Sequence, residues 1–453
     1  MSRIPEPEVH VEGQQSAEGT PGGVAGGAGG CAAGGARGPA EGVVEAVERS
    51  RLRSAAAALT SLVALAATGL VAGPAVADSA AGPCALRRSP AHHSLGVDTW
   101  NTAYPRPART LDAVMIFLSF PDSVPMNSPD ELVSDHFPAT SRYFERASYG
   151  KFALRPHPQR RWVRMKKAST AYGIKRDWDA RRRSAYLRDA ISAADPTVDF
   201  SRYDIVYLVA DPDAPGVDSD ATKVINLEQP VSADGADVTR VVTVFERRPP
   251  DRNVLAHETG HVFDLPDLYH RPTDGKGDWD THVGDWDVMG SQFGLAPDLF
   301  AWHKWKLGWL SGRAVRCVQQ AAEVLALEPL AAAPARGGSL GTRLAVVRTG
   351  ADTALAIEAR GATGNDAATC TEGVLLYRVR AEKASGGGPV EVVDTHPDTG
   401  ACWDESVYPP LADAPLGVGE TFTMPGETGE RTRVEVADRT STGAWMVKIT
   451  TAT

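Results

Sequence analysis

The chain has 453 residues, a formal net charge of −10 at pH 7 and a pI near 5.6. A chain of this length can form two or three domains with substantial hydrophobic cores. Because a nucleic-acid binder usually presents a basic face, the acidic balance argues against nucleic acid as a partner.

The first part of the sequence predicts export. Residues 1–49 are rich in glycine and alanine and cannot bury a core, so we expect a disordered extension. Residues 50–77 combine two arginines, an apolar run and an Ala-x-Ala end at Ala77, a pattern typical of a cleaved secretory signal. An uncleaved membrane anchor is the alternative. We expect a secreted protein without stable membrane association, and a linker or short pro-segment over residues 78–106.

The cysteines agree with export. Signal cleavage would remove Cys31 and leave four cysteines, an even number suited to two disulfides in an oxidising compartment. Of the three possible pairings we prefer Cys84 with Cys317 and Cys370 with Cys402. An alternative is that Cys84 is a thiolate that blocks a metal in a precursor.

Strand and helix patterns alternate in the region 107–312. Alternation of this kind around one sheet indicates an α/β domain. The predicted strands and helices, in chain order, are the strand Leu111–Phe120, the helices Pro138–Ala147 and Asp177–Ala194, and the strands Ile205–Val209 and Val238–Phe245.

The most informative motif is His257-Glu258-Thr259-Gly260-His261. Two histidines four residues apart on a helix project from the same side, so both can bind one metal ion. Glu258 lies between them and is placed beside a water molecule on that metal. This is the arrangement of metal-assisted hydrolysis, in which zinc acidifies the water and the carboxylate accepts its proton.

The helix that carries this motif has recognisable ends. Asp251 follows two prolines and is the predicted N-cap. Pro266 disfavours helical geometry at Leu265, so the helix should end within a few residues of His261. A sharp exit lets the chain turn back and offer a further ligand.

Zinc hydrolases keep three protein ligands and leave the fourth position open. The downstream candidates are Asp264, Asp267 and His270, because no glutamate lies between Glu258 and Glu323. Asp267 is our choice, since it follows the predicted turn, and Asp264 is the alternative ligand.

An acidic loop follows the motif and is a candidate calcium site. Asp274, Asp278 and Asp280 alternate there with Gly275 and Gly277. The spacing does not match the EF-hand loop, so calcium is only a secondary candidate beside zinc.

The pattern changes in the region 313–453. Short strand-like runs separated by turn residues suggest an all-β, sandwich-like domain that stabilises the enzyme or docks substrate. The runs are Val324–Leu327, Arg343–Arg348, Ala354–Ala359, Gly373–Val379, Val390–Val393, Thr421–Met424, Thr432–Val436 and Ala444–Ile449.

Four segments occur in a characteristic order: Tyr143–Lys151, His257–Tyr269, Gly284–Gly290 and Ala301–Leu310. Together they resemble the immune inhibitor A-type secreted zinc metallopeptidases, a metzincin-like family, over roughly residues 107–312. The short HExxHxxxxxD pattern is also similar to that of snapalysin, a small secreted protease.

This resemblance implies a zincin-type catalytic domain, with a mixed sheet and an active-site helix. It implies His257, His261 and Asp267 as zinc ligands and Glu258 as the catalytic base. It also implies that Met289 belongs to a turn beneath the metal. The related pattern has glycine where this chain has Asp264.

The expected function is that of a secreted zinc endopeptidase, a monomer acting on protein or peptide substrates. One alternative is a zinc amidase acting on cell-wall peptides. Another is a secreted binding or adhesion protein whose zinc site turns over weakly. The intact Glu258 argues against this last alternative, whereas Asp264 in place of glycine keeps it open.

Overall fold

The computed structural model describes residues 82, 84–88, 95–272, 276–332, 341–426 and 430–452. The predicted extension, the predicted signal and Cys31 lie outside the described residues. So do Asp274 and Gly275 of the proposed calcium loop.

A five-stranded mixed sheet forms the first part of the fold. Its strands are β1 (Thr110–Ser119), β2 (Ala153–Arg164), β3 (Ile205–Ala210), β4 (Lys223–Ala233) and β5 (Ala236–Val244). They lie in the order β2-β1-β3-β5-β4. The first four strands in this order pair in parallel, whereas β4 pairs antiparallel with β5 and forms an edge.

Helices cover this sheet, and one of them carries the histidine motif. The helices are α1 (Pro129–His136), α2 (Ala139–Ala147), α3 (Ala180–Ala194), α4 (Val254–Val262), α5 (Ala301–Lys306) and α6 (Pro409–Ala412). Alternate residues of β1 belong to two different cores: Met115 and Phe117 pack in the core that includes α4, and Val114 and Ile116 pack in the core that includes α3. Burial on both faces explains why β1 is a continuous apolar run.

The five elements predicted between residues 107 and 245 are confirmed to within a few residues. Strands β2 and β4 and helix α1 were not predicted. Strand β2 contains two prolines and several exposed arginines, which mask its strand pattern. The start of α1 carries a capping box. The Ser128 side chain accepts a hydrogen bond from the Glu131 N–H, and the Glu131 side chain accepts one from the Ser128 N–H.

Two further sheets form the β-rich region. Its strands are β6 (Val315–Cys317), β7 (Ala322–Leu327), β8 (Leu344–Arg348), β9 (Thr353–Arg360), β10 (Gly373–Arg380), β11 (Val390–Val392), β12 (Thr421–Pro425), β13 (Arg431–Arg439) and β14 (Trp445–Ala452). The sheet orders are β11-β10-β9-β8-β6 and β12-β13-β14-β7. Each of the strand runs predicted after residue 313 is confirmed, and the chain is an α/β region followed by a β-rich region.

The sheet that contains β8 and β10 is buried on both faces. Val347 and Leu376 pack against the four-stranded sheet. Their neighbours Val346 and Leu375 instead join the core that contains the histidine helix. The β-rich region therefore shares a hydrophobic core with the α/β region.

The described part of the predicted linker is also packed into this core. Cys84, Leu86, Val97 and Trp100 are all buried in it. The Trp302 indole N–H donates a hydrogen bond to the Val97 carbonyl at 2.7 Å. This segment contributes to the folded structure.

The preferred disulfide pairing is confirmed. Cys84 pairs with Cys317, and Cys370 pairs with Cys402. Because Cys84 is disulfide-bonded, the alternative in which its thiolate blocks a metal is wrong. Two disulfides fit a secreted protein. Within the described ranges, no helix combines the length and apolarity needed to cross a membrane.

A buried arginine connects the β-rich region to the α/β region. Arg360 at the end of β9 is 1% exposed and pairs with Glu358 at 3.0 Å and Asp366 at 2.8 Å. Its guanidinium also donates to the carbonyls of Trp286 and Ala296 at 3.0 and 2.9 Å. These contacts replace the hydrogen bonds to water that the Arg360 guanidinium loses when it is buried.

Replacing Arg360 with Met should lower the free energy of unfolding by about 3–5 kcal/mol, because two carboxylates lose their buried partner. Urea unfolding measures this difference. The control is Arg439→Met, since Arg439 pairs with Glu372 on the surface. The control should cost less than about 1 kcal/mol. Equal losses in the two variants would contradict a special role for Arg360.

Candidate metal centre and catalytic site

The histidine helix α4 begins two residues later than predicted. Its N-cap is Asn253, in the left-handed conformation with φ 60°, and not Asp251. The prediction of Asp251 as N-cap is wrong because its carboxylate accepts a hydrogen bond from the Gln292 amide at 2.9 Å. Asparagine tolerates the left-handed region better than most residues.

The end of α4 matches the predicted sharp exit. Asp264 has φ 64°, and the Leu265 N–H donates back to the Gly260 carbonyl at 3.2 Å. This hydrogen bond closes the helix in the manner of a left-handed cap. The chain then reverses through Pro266 and brings Asp267 to the histidines.

Three of the predicted ligands converge. The Asp267 Oδ1 atom lies 3.0 Å from His261 Nε2 and 3.4 Å from His257 Nε2. Ligand atoms of these three residues all lie within 4.8 Å of one another. In the part of the chain that the structure describes, this is the one group of three or more His, Cys, Asp or Glu side chains placed to hold a metal ion.

Hydrogen bonds to the backbone orient both imidazoles. His257 Nδ1 lies 2.8 Å from the Val288 carbonyl oxygen, and His261 Nδ1 lies 2.8 Å from the Leu265 carbonyl oxygen. A carbonyl only accepts, so each Nδ1 carries the proton and donates it. Each Nε2 atom is thereby directed toward the shared point, as metal-ligating histidines require.

The charges of these groups are coupled. Burial alone would lower the pKa of His261, but the adjacent Asp267 carboxylate raises this pKa to about 9. Burial opposes ionisation of Asp267 as well, yet the two imidazoles hold the pKa of its carboxyl well below the usual value. The Asp267 carboxylate and the His261 imidazole therefore stabilise each other's charged form.

Glu258 lies beside the triad and is fixed by the edge strand. Its Oε2 atom accepts a hydrogen bond from the Val224 N–H of β4 at 2.8 Å. The side chain is 7% exposed, and this burial raises the pKa of its carboxyl. Val224 was not predicted as a site residue, and nothing in its local sequence signals that role.

Met289, which the resemblance places in a turn beneath the metal, packs against Gly260 of α4. A Cβ atom placed on Gly260 would lie 2.4 Å from the Met289 sulfur, so the glycine of the motif allows this close packing. The Leu268 N–H donates to the Met289 carbonyl at 2.9 Å. The Met289 segment therefore contacts both the histidine helix and the chain next to Asp267.

Asp287 holds the Met289 segment in place and was not predicted. Its carboxylate accepts hydrogen bonds from the Met289 and Phe300 N–H groups at 2.8 and 2.7 Å. It also lies 3.1 Å from the His303 Nδ1 atom. All these groups are buried.

A second unpredicted contact comes from the β-rich region. The Ser385 hydroxyl donates to Asp267 Oδ2 at 3.0 Å, and it accepts from the Asp267 N–H at 2.9 Å. These bonds leave Oδ1, the atom nearest the histidines, to act as the ligand. Ser385 lies 118 residues after Asp267, so no local pattern identifies it.

The other ligand candidates do not join the triad. The Asp264 carboxylate is buried and lies 2.8 Å from the Lys306 ammonium. His270 Nδ1 lies 3.0 Å from His282 Nε2. Asp278 and Asp280 of the proposed calcium loop form no group of three donors within the described residues.

The triad lies in an open cleft of about 640 Å³. Aromatic rings line one wall: Tyr269 stacks on His257 at 6.5 Å between ring centroids, and Trp279 stacks on Tyr269 at 5.2 Å. Residues of the edge strand, including Val224 and Asn226, line another part. The three donors and Glu258 therefore all border the same cleft.

No protein-family model and no curated protein matches the sequence. Among solved structures, the chain gives a weak match to OgpA from Akkermansia muciniphila, with a TM-score of 0.27 and 12% sequence identity. The similarity covers 78% of this chain and 95% of OgpA.

Replacing Gly260 with Ala should lower the free energy of unfolding by about 1–3 kcal/mol, because the new methyl group overlaps the buried Met289 sulfur. Thermal and urea unfolding check this. Gly312→Ala is the control, since a Cβ atom there meets nothing within 4 Å. A Gly260→Ala protein as stable as the control would refute close packing beneath α4.

Replacing Ser385 with Ala should weaken the binding of an added divalent metal ion to the triad by about 10–100-fold, because Asp267 loses the hydroxyl that orients it. Competition with a chelator gives the affinity. Ser406→Ala is the control, since its hydroxyl donates to the carboxylate of Asp285, outside the triad, at 2.5 Å. Unchanged affinity in Ser385→Ala would show that Asp267 is oriented without the β-rich region.

Proposed function

We propose that the chain is a secreted zinc-dependent endopeptidase with a zincin-type catalytic region. The observation that carries this proposal is the convergence of two imidazole nitrogens and one carboxylate oxygen, with a buried glutamate beside them in an open cleft. The two disulfides support export.

The donor set fits zinc. Zinc in hydrolases is bound by three nitrogen or oxygen donors of the protein and keeps one position for water or substrate. His257, His261 and Asp267 supply three such donors, and a backbone carbonyl orients each imidazole. When bound, zinc would supply the Lewis acid that polarises a carbonyl and lowers the pKa of water to about 7.

The chain's own residues would then handle the proton and the substrate. Glu258 would accept a proton from the attacking water and later deliver it to the leaving amine. Because its Oε2 atom is held by Val224, we assign this transfer to Oε1. The outer edge of β4 offers backbone groups with which an extended peptide can pair.

We favour an endopeptidase because the cleft lined by the described residues is open to solvent and includes the edge strand β4 beside the triad. A protein substrate would then bind along this edge. Casein and purified cell-wall peptides, assayed side by side, separate an endopeptidase from a cell-wall amidase. Hydrolysis of the cell-wall peptides alone would favour the amidase.

Changing Glu258 to Gln should leave one zinc per chain but lower the rate of casein cleavage by at least about 10²-fold, because the amide cannot accept the proton. Metal analysis and a fluorescent casein assay measure the two quantities. Glu372→Gln, on the surface of the β-rich region, should behave as wild type. Substantial cleavage by Glu258→Gln would reject the assigned role, and zinc binding without any cleavage by wild type would indicate a binding protein.

A further inference from the structure

We propose that Lys306 is a positioning residue: its buried ion pair with Asp264 clamps the turn between His261 and Asp267 and so places Asp267 as a metal ligand. This inference rests on the zinc site proposed above. It extends that proposal by assigning a role to Asp264, the one charged residue between His261 and Asp267, and to its partner Lys306. We call residues 262–266 the ligand turn.

The ion pair is isolated from water. Asp264 is fully buried and Lys306 is 3% exposed, and the distance between Asp264 Oδ2 and Lys306 Nζ is 2.8 Å. A carboxylate and an ammonium removed from water depend on each other for compensation. A second cation, Arg88, lies 3.9 Å from Asp264 Oδ2, so removal of Lys306 would leave the buried carboxylate with this longer ion pair in place of the 2.8 Å one.

Lys306 also binds the backbone of the turn. Its ammonium donates to the Asp264 carbonyl at 2.7 Å and to the Gly96 carbonyl. The Asn101 N–H donates to Asp264 Oδ2 at 3.2 Å. Residues 95–101, which we call the N-terminal strap, therefore hold the turn together with helix α5.

The clamp acts at a strained position. Asp264 has φ 64°, a conformation that non-glycine residues rarely adopt. Such a conformation persists where the surroundings determine it from several sides. Here the lysine fixes both the side chain and the carbonyl of the strained residue.

A short chain of bonds connects this residue to the ligands. The next residue, Leu265, donates its N–H to Gly260 and accepts the His261 Nδ1 hydrogen bond at 2.8 Å. Two residues later, Asp267 Oδ1 lies 3.0 Å from His261 Nε2. A shift at Asp264 would therefore reorient the His261 ring and displace the Asp267 carboxylate together.

The test compares two lysines of one helix. Lys304 is also buried and pairs with Asp298 at 2.6 Å, but it contacts no part of the ligand turn. We expect Lys306→Met to weaken zinc binding at least about 10-fold, in line with the loss of other groups that orient metal ligands. Lys304→Met should destabilise the fold while the folded protein binds zinc as wild type does.

Zinc affinity is measured by chelator competition, and the visible spectrum of the cobalt-substituted protein reports the ligand geometry. The spectrum should change in Lys306→Met and not in Lys304→Met. The double variant Asp264→Gly/Lys306→Met should regain most of the affinity, because glycine adopts φ 64° freely and both partners of the buried pair are removed, while Arg88 keeps Asp98 as a partner at 3.7 Å. Asp264→Asn, which keeps a side chain suited to this conformation, replaces Lys306→Met if that protein does not fold.

The possible results distinguish failure of the clamp from failure of the proposed ligand set. If Asp267→Ala loses zinc but Lys306→Met and Asp264→Asn bind it normally, the clamp is refuted and the ligand set stands. If Lys304→Met weakens zinc binding as much as Lys306→Met does, the effect of Lys306 is a general loss of stability, and the clamp is refuted. If Asp267→Ala binds zinc as tightly as wild type, the ligand assignment fails and the clamp fails with it. Active Glu258→Gln would reject only the catalytic assignment.

Discussion

The reversal of the chain after helix α4 is the constraint on which the site depends. Two histidines on one helix provide only two donors, and a hydrolytic zinc site needs a third. The left-handed residue Asp264 supplies the turn that brings Asp267 to within 3.0 Å of His261. The same turn returns the Leu265 carbonyl to the His261 ring. The left-handed conformation of Asp264 thus places Asp267 and also orients the His261 ring.

The β-rich region is part of the site's support. Ser385 binds both the carboxylate and the backbone of Asp267. Arg360 holds the carbonyls of the segment on either side of Met289, which packs beneath the helix. The two sheets of this region form a core of their own, yet one of them also packs against the α/β region. Of the three proposed ligands, Asp267 is therefore held directly by a residue that follows residue 350, and Arg360 supports the segment that contains Met289.

The sequence predicts local features well and long-range contacts poorly. The spacing of His257 and His261 on a helix, followed by a proline, predicted a turn that returns the chain to the histidines, and Asp267 was chosen over Asp264 and His270 because it follows that turn. Buried strands such as β1 were predictable because burial on both faces leaves a continuous apolar run. Val224 and Ser385 were not predictable, because an ordinary valine and serine reach the site only through the fold. The prediction of Asp251 as N-cap was wrong, and the Asp251 carboxylate accepts a hydrogen bond from the Gln292 amide instead.

The three proposed ligands can be checked by anomalous diffraction at the zinc edge from crystals grown with zinc. We expect one strong peak bonded by His257 Nε2, His261 Nε2 and Asp267 Oδ1, with each bond about 2.0–2.2 Å long. A peak held by other residues, or an Asp267 carboxylate directed away from both imidazoles while zinc is bound, would contradict it.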